Sequence, residues 1–203
     1  MSVIFAVLLF SLLIFVHEFG HFSNDYASMG ASKSIDVAEF FSQGLEYLSL
    51  FYGETDKPLD TLQMISSLSV YVEQSAYADF EMRLYNTPTE ELTTERVFEL
   101  FDDVCGDYGF ADLGIDSRYL ITIPHFYIAP CYVFSYVASN DAALQLYQLE
   151  LAQSGAGRQT YMDNLVPEEY TLLAFLESAG LESPFTEGRI QRVAQTFRES
   201  FGF

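Results

Sequence analysis

The sequence is short of positive charge. Nine Lys and Arg stand against 29 Asp and Glu in 203 residues, a net charge of −20. Nucleic acid is disfavoured as a partner, because phosphates demand Lys and Arg. An anionic membrane surface is disfavoured for the same reason, and the acidity reads first as a device for solubility. Cysteine is scarce as well, with only Cys105 and Cys131. Two cannot build a disulfide scaffold, and their spacing is not that of a zinc knuckle, so a reducing, cytoplasmic setting fits best. No Lys or Arg precedes Lys33. The positive flank of a signal peptide or of a positive-inside anchor is therefore missing. Strand signals, internal repeats and low-complexity tracts are absent too, and no domain boundary is visible, so residues 1–203 are expected to form a single helical domain.

What is present is apolar and helical. Half the residues are hydrophobic and 16% are aromatic, enough for a real core. The pattern predicts a first helix from Ser2 to Tyr26, apolar all round at its start, as a central buried helix would be. Its apolar lead-in, residues 1–16, is shorter than the roughly 20 residues that span a bilayer. Extending it to Phe22 places Glu18, His17 and His21 in the lipid. A buried core helix is the first reading and a membrane helix tethering the chain the second. Further helices are predicted at Ile35–Tyr52, closed by Gly53, from Pro58 to Tyr85, and at Thr93–Cys105. Beyond the turn-rich 106–120, a long helix is expected from Pro130 to about Ser154. Shorter ones are expected at 160–165, at 168–178 and from Pro184 to Phe201.

The first helix carries "HEFGH". Residues four apart share a helix face, so His17 and His21 can hold one metal ion, and imidazole nitrogen suits zinc. Glu18 stands beside them as the general base that takes a proton from the attacking water. A catalytic zinc needs a third protein ligand. Glu39, 18 residues after His21 on the second helix, can supply it if the two helices run antiparallel. Asp36, three residues earlier, is the alternative. Glu46, two turns beyond Glu39, can accept a hydrogen bond from a ligating histidine and fix its ring. Two histidines and a glutamate buried without partners would be costly, and a metal removes that cost.

A second group, "PHFYIAPCYVFSY", brings together His125, Tyr132 and Tyr136, with the two tyrosines one helical turn apart. Imidazole and phenol are suitable donors for the oxyanion of peptide hydrolysis. Taken alone, the segment reads more simply as an aromatic core stripe.

"HEFGHFSNDY", "DVAEFFSQGLEYL", "IPHFYIAPCYVFSYVASNDAALQLY" and "YMDNL…LLAFLESAGLESPFTEGRIQRVAQTF", in that order, resemble the C-terminal catalytic half of oligoendopeptidase F and its thimet oligopeptidase relatives. The resemblance runs from about Val16 to Phe197. It implies an all-α, multi-helical zincin lobe of the gluzincin type with a buried HExxH helix, closing over a channel that admits short peptides. It implies one Zn2+ per chain, held by His17, His21 and Glu39, the last in an E-x-x-S-Q-x-x-E pattern completed by Ser42, Gln43 and Glu46. It implies Glu18 as base and His125 and Tyr136 at the transition state, with Tyr132 a second candidate.

The apolar lead-in is more like that of a site-2 protease. That family draws an Asp ligand from an Asp-Gly motif, which this sequence lacks, and no further run is long enough to span. Cys131 and Ser139–Asp141 stand where the family leads one to expect other residues. The members of the family carry a few hundred further residues upstream. The expected function is therefore zinc-dependent hydrolysis of short peptides. The alternatives are a non-catalytic zinc-binding domain, a channel wall supplied by self-association or by a second chain, and a membrane-anchored peptidase.

Overall fold

The structure, a computed structural model, describes residues 3–31, 33–52 and 57–201. Among them the regular structure is helical, without strands. The helices are α1 (Val3–Ala27), α2 (Ile35–Tyr52), α3 (Lys57–Tyr85), α4 (Thr94–Asp107), α5 (His125–Ile128), α6 (Tyr132–Ala152), α7 (Ala156–Asp163), α8 (Leu172–Ser178) and α9 (Arg189–Phe201). Short 3-10 turns lie at Thr89–Glu91, Ala111–Leu113 and Ser117–Thr122. The all-α expectation holds. Pro58 lies in the first turn of α3, where its missing N–H costs nothing. The predicted stop at Gly53 lies outside the described residues. Gly106 does not end α4, which continues to Asp107. Pro130 does not open the long helix, because Cys131 takes a left-handed turn (φ 64°) before α6 starts at Tyr132.

The chain forms two compact units, residues 1–67 with 138–203, and residues 68–137. In the first, α1 and α2 form a hairpin. Gly20 makes it tight: a Cβ there would lie 2.5 Å from Ser42 Cα and 2.6 Å from the Phe41 carbonyl oxygen. Asn24 on α1 donates to the Leu165 carbonyl at 2.8 Å, tying the hairpin to the segment after α7. Beneath α2, Phe40 and Phe41 stack edge-on against Phe175, and Phe41 against Tyr161. The second unit has its own core, in which Tyr77 and Phe80 of α3 meet Phe101 and Val104 of α4 together with Leu120, Ile123 and Val133.

The expectation of a first helix covered all round needs correction. Phe15, Phe19, Phe22 and Tyr26 are exposed and stack on one another in sequence along its outer face. Among the described side chains from Ser11 on, only the face carrying Gly20, Asn24 and Ser28 is buried. The side chains before Ser11, and that of Leu13, lie outside the described residues, and with them most of the apolar lead-in. Among those described, no helix is long and apolar enough to cross a membrane.

The helix that is buried on every side is α6, where residues 138–147 are all covered. Its polar residues are satisfied inside the core. Asn140 accepts from Tyr47 and Ser67 and donates to the Ser67 carbonyl. Ser139 donates to Gln43, and Asp141 pairs with Arg189 at 2.9 Å. The residues 139–141 that departed from the family pattern thus serve as internal connectors. Both members of the Asp141–Arg189 pair are buried, and removing Asp141 takes from Arg189 its closest charged partner, leaving Glu182 at 3.6 Å. Asp141→Leu is expected to destabilise the chain by about 3–5 kcal/mol, read from denaturant melts. A loss below about 1 kcal/mol would place this pair among ion pairs of little consequence.

Candidate metal centre

The site grows out of the α1–α2 hairpin. His17 and His21 sit one helical turn apart on α1, and their rings meet edge-on with centroids 5.0 Å apart. His17 faces Glu46 while Gly20 faces Ser42, so α2 runs antiparallel to α1. That direction brings Glu39 opposite both histidines. Its Oε2 lies 3.5 Å from His17 Nε2 and 3.6 Å from His21 Nε2. One ligand atom from each of the three residues lies within 4.8 Å of the others. Asp36, the alternative from sequence, is not in this group.

The spacings suit a metal better than they suit hydrogen bonds. Two ligand atoms about 2.1 Å from a tetrahedral zinc stand about 3.4 Å apart, close to both nitrogen–oxygen distances. Hydrogen bonds between such groups are shorter, near 2.7–2.9 Å. The donor set also fits, with two imidazole nitrogens and a carboxylate that is only 2% exposed. The Ser42 hydroxyl donates to Glu39 Oε2 at 3.2 Å and orients that carboxylate.

Glu46 stands behind His17 as expected. Its Oε1 lies 2.7 Å from His17 Nδ1. Its Oε2 accepts from Gln63 Nε2 at 2.6 Å. Gln63, on α3, escaped the sequence reading because no motif contains it and nothing in its surroundings marks it. His17 titrates above the ordinary histidine value. Burial alone would lower it, and the Glu46 hydrogen bond with the charges of Glu46, Glu39 and Glu18 outweighs that effect. Glu18, next to His17, is exposed to solvent.

The second group is equally well defined within its own unit. His125 on α5 stacks flat on Tyr132 at 5.2 Å and edge-on to Tyr136 at 5.7 Å, and the two tyrosine rings meet at 4.9 Å. All three are half-buried. The turn at Cys131 sets this packing, and Glu81 holds it by accepting from the Cys131 N–H at 2.8 Å. These half-buried rings pack on one another beside the fully buried core cluster of the unit.

Solved structures share this helical architecture. An oligoendopeptidase F matches with a TM-score of 0.77 at 19% identity over 92% of this chain. An oligoendopeptidase F from Bacillus anthracis strain Ames matches at 0.72 and 18% over 93%. PZ peptidase A, solved with an inhibitor, matches at 0.76 and 17% over 94%. The matched part is 36%, 34% and 37% of those chains respectively, so this chain spans about a third of their length. No protein-family model and no curated protein matches the sequence. At this level of identity the likeness establishes the fold, which is that of part of oligoendopeptidase F and PZ peptidase.

Proposed function

We propose that this chain is a zinc-dependent peptidase domain acting on short peptides. The observation that carries the proposal is the convergence of His17, His21 and Glu39 at spacings suited to a tetrahedral ion, with Glu46 behind His17. These three residues would hold the metal. Bound zinc supplies Lewis acidity, polarising the scissile carbonyl and making water a better nucleophile near neutral pH. Glu18, on the solvent side of the same helix, takes the proton of the attacking water and returns it to the leaving amine. Glu46 keeps the His17 ring oriented. His125 and Tyr136, with Tyr132 a second candidate, belong to the other compact unit, and the resemblance implies for them the role of donors to an oxyanion. Their assignment rests on the order of motifs and on the stacked cluster they form.

The test is metal content. The purified chain is expected to retain one zinc per molecule, and Glu39→Ala to weaken zinc binding at least 100-fold, measured by competition with a chromophoric chelator. A chain that takes up no zinc, or that binds it equally well after Glu39→Ala, overturns the proposal. A second reading, a zinc-holding domain without turnover, draws on the chain's span of about a third of the solved structures it matches. Stoichiometric zinc with no cleavage of any peptide would favour it.

A further inference from the structure

We propose that Gln63 is a positioning residue for the metal site, acting through Glu46 on His17. The inference rests on the zinc reading above. Gln63 comes from a third helix and is 4% exposed. Its amide N–H donates to Glu46 Oε2 at 2.6 Å, and the other oxygen of Glu46 faces His17 Nδ1 at 2.7 Å. These contacts have a direction. An ionised carboxylate only accepts hydrogen bonds, so the amide must present its nitrogen to Glu46. With Oε2 taken by the Gln63 N–H, Oε1 is aimed at His17 Nδ1 as an acceptor, and a proton on Nδ1 leaves the lone pair on Nε2. Nε2 is the atom that faces Glu39.

Gln63 also fixes Glu46 in space. A carboxylate held only by His17 can rotate about its own side chain, whereas one held at both oxygens cannot. A substitution at 63 should therefore weaken metal binding without touching a ligand. Leu removes the donor and leaves Oε2 without this partner. Glu removes the N–H donor and sets a second acceptor-only group against Oε2, which drives Glu46 from its place and loosens its hold on the His17 Nδ1 proton. Gln63 touches neither the ligand atoms nor Glu18 in this arrangement, so its signature lies in metal affinity and tautomer.

The experiment uses the full chain and zinc alone. Gln63→Leu and Gln63→Glu are expected to raise the zinc Kd about 10–100-fold, with circular dichroism verifying that each folds. The exchange Glu46→Gln with Gln63→Glu restores the order of donors, because the new carbonyl at 46 accepts from His17 and its amide donates to residue 63. It is expected to recover most of the affinity lost in Gln63→Glu, a rescue that a purely structural role would not produce. Nitrogen-15 spectra of the metal-free chain at pH 9 give a second readout. His17 should carry its proton on Nδ1 in the unaltered chain and become a mixture of tautomers in Gln63→Glu. Unchanged zinc affinity in both single variants, or an unchanged His17 tautomer, overturns the proposal. If the unaltered chain binds no zinc, the zinc reading fails, and the tautomer measurement still decides the role of Gln63.

Discussion

Glu18→Gln is expected to cut peptide turnover by about 10²–10⁴-fold and to leave bound zinc unchanged. The amide matches the carboxylate in size but cannot take a proton. Glu18 follows His17 directly, about 100° further round the helix, and is exposed where His17 and His21 are half-covered. It is absent from the group of residues whose ligand atoms converge. Metal binding and proton transfer are therefore separable at this position. Quenched fluorescent peptides measure the turnover, and metal analysis of the same samples measures the zinc. Equal turnover in the two proteins would remove Glu18 from the mechanism. Loss of zinc in the variant would instead make Glu18 a ligand.

Gly20→Ala is expected to lower stability and metal affinity together. A Cβ at position 20 meets backbone at 2.5 and 2.6 Å on α2. Backbone cannot rotate aside, so the two helices must separate. Overpacking of this kind costs about 1–3 kcal/mol, and the upper end is expected where both opposing atoms belong to a helix. Separation also pulls His17 and His21 away from Glu39, because the ligands lie on opposite sides of the same contact. Metal sites tolerate only about 0.5 Å of misplacement. Zinc affinity should accordingly fall by about 100-fold, the upper end of the loss expected at Gln63. Gly106→Ala is the control. It adds a Cβ to α4 with nothing within 4 Å, and should be neutral or stabilising by about 0.5–1 kcal/mol. Melting curves and zinc titrations that place Gly20→Ala beside Gly106→Ala would show that the hairpin contact does not set the site.

The clustering of His17, His21, Glu39 and Glu46 was largely legible in the sequence because it is local. His17 and His21 are joined by one helical turn, and Glu39 and Glu46 lie on the next helix after a short connection. Helical periodicity and one assumption, an antiparallel hairpin, suffice to place all four. Gln63 was not legible, because its contact with Glu46 depends on how a third helix packs. The burial of α1 was misjudged for a related reason. Hydropathy reports what a helix can bury, not what neighbours arrive to cover it. The reverse holds for α6, whose Ser139, Asn140 and Asp141 look like surface residues and are enclosed because each finds a partner inside the core.

The sequence by itself determined the helical class, the pairing of the histidines and the presence of carboxylates on the next helix within reach of them. Each follows from the fixed pitch of a helix and from short separations along the chain. Only the tertiary structure decided that Glu39 and not Asp36 converges on the histidines, that Gln63 meets Glu46, and that the middle of α6 is enclosed while the outer face of α1 from Phe15 to Tyr26 is not. It also decided that His125, Tyr132 and Tyr136 stack as one group across the left-handed turn at Cys131. These outcomes depend on contacts between distant segments, where packing and the pairing of buried polar groups outweigh any local preference.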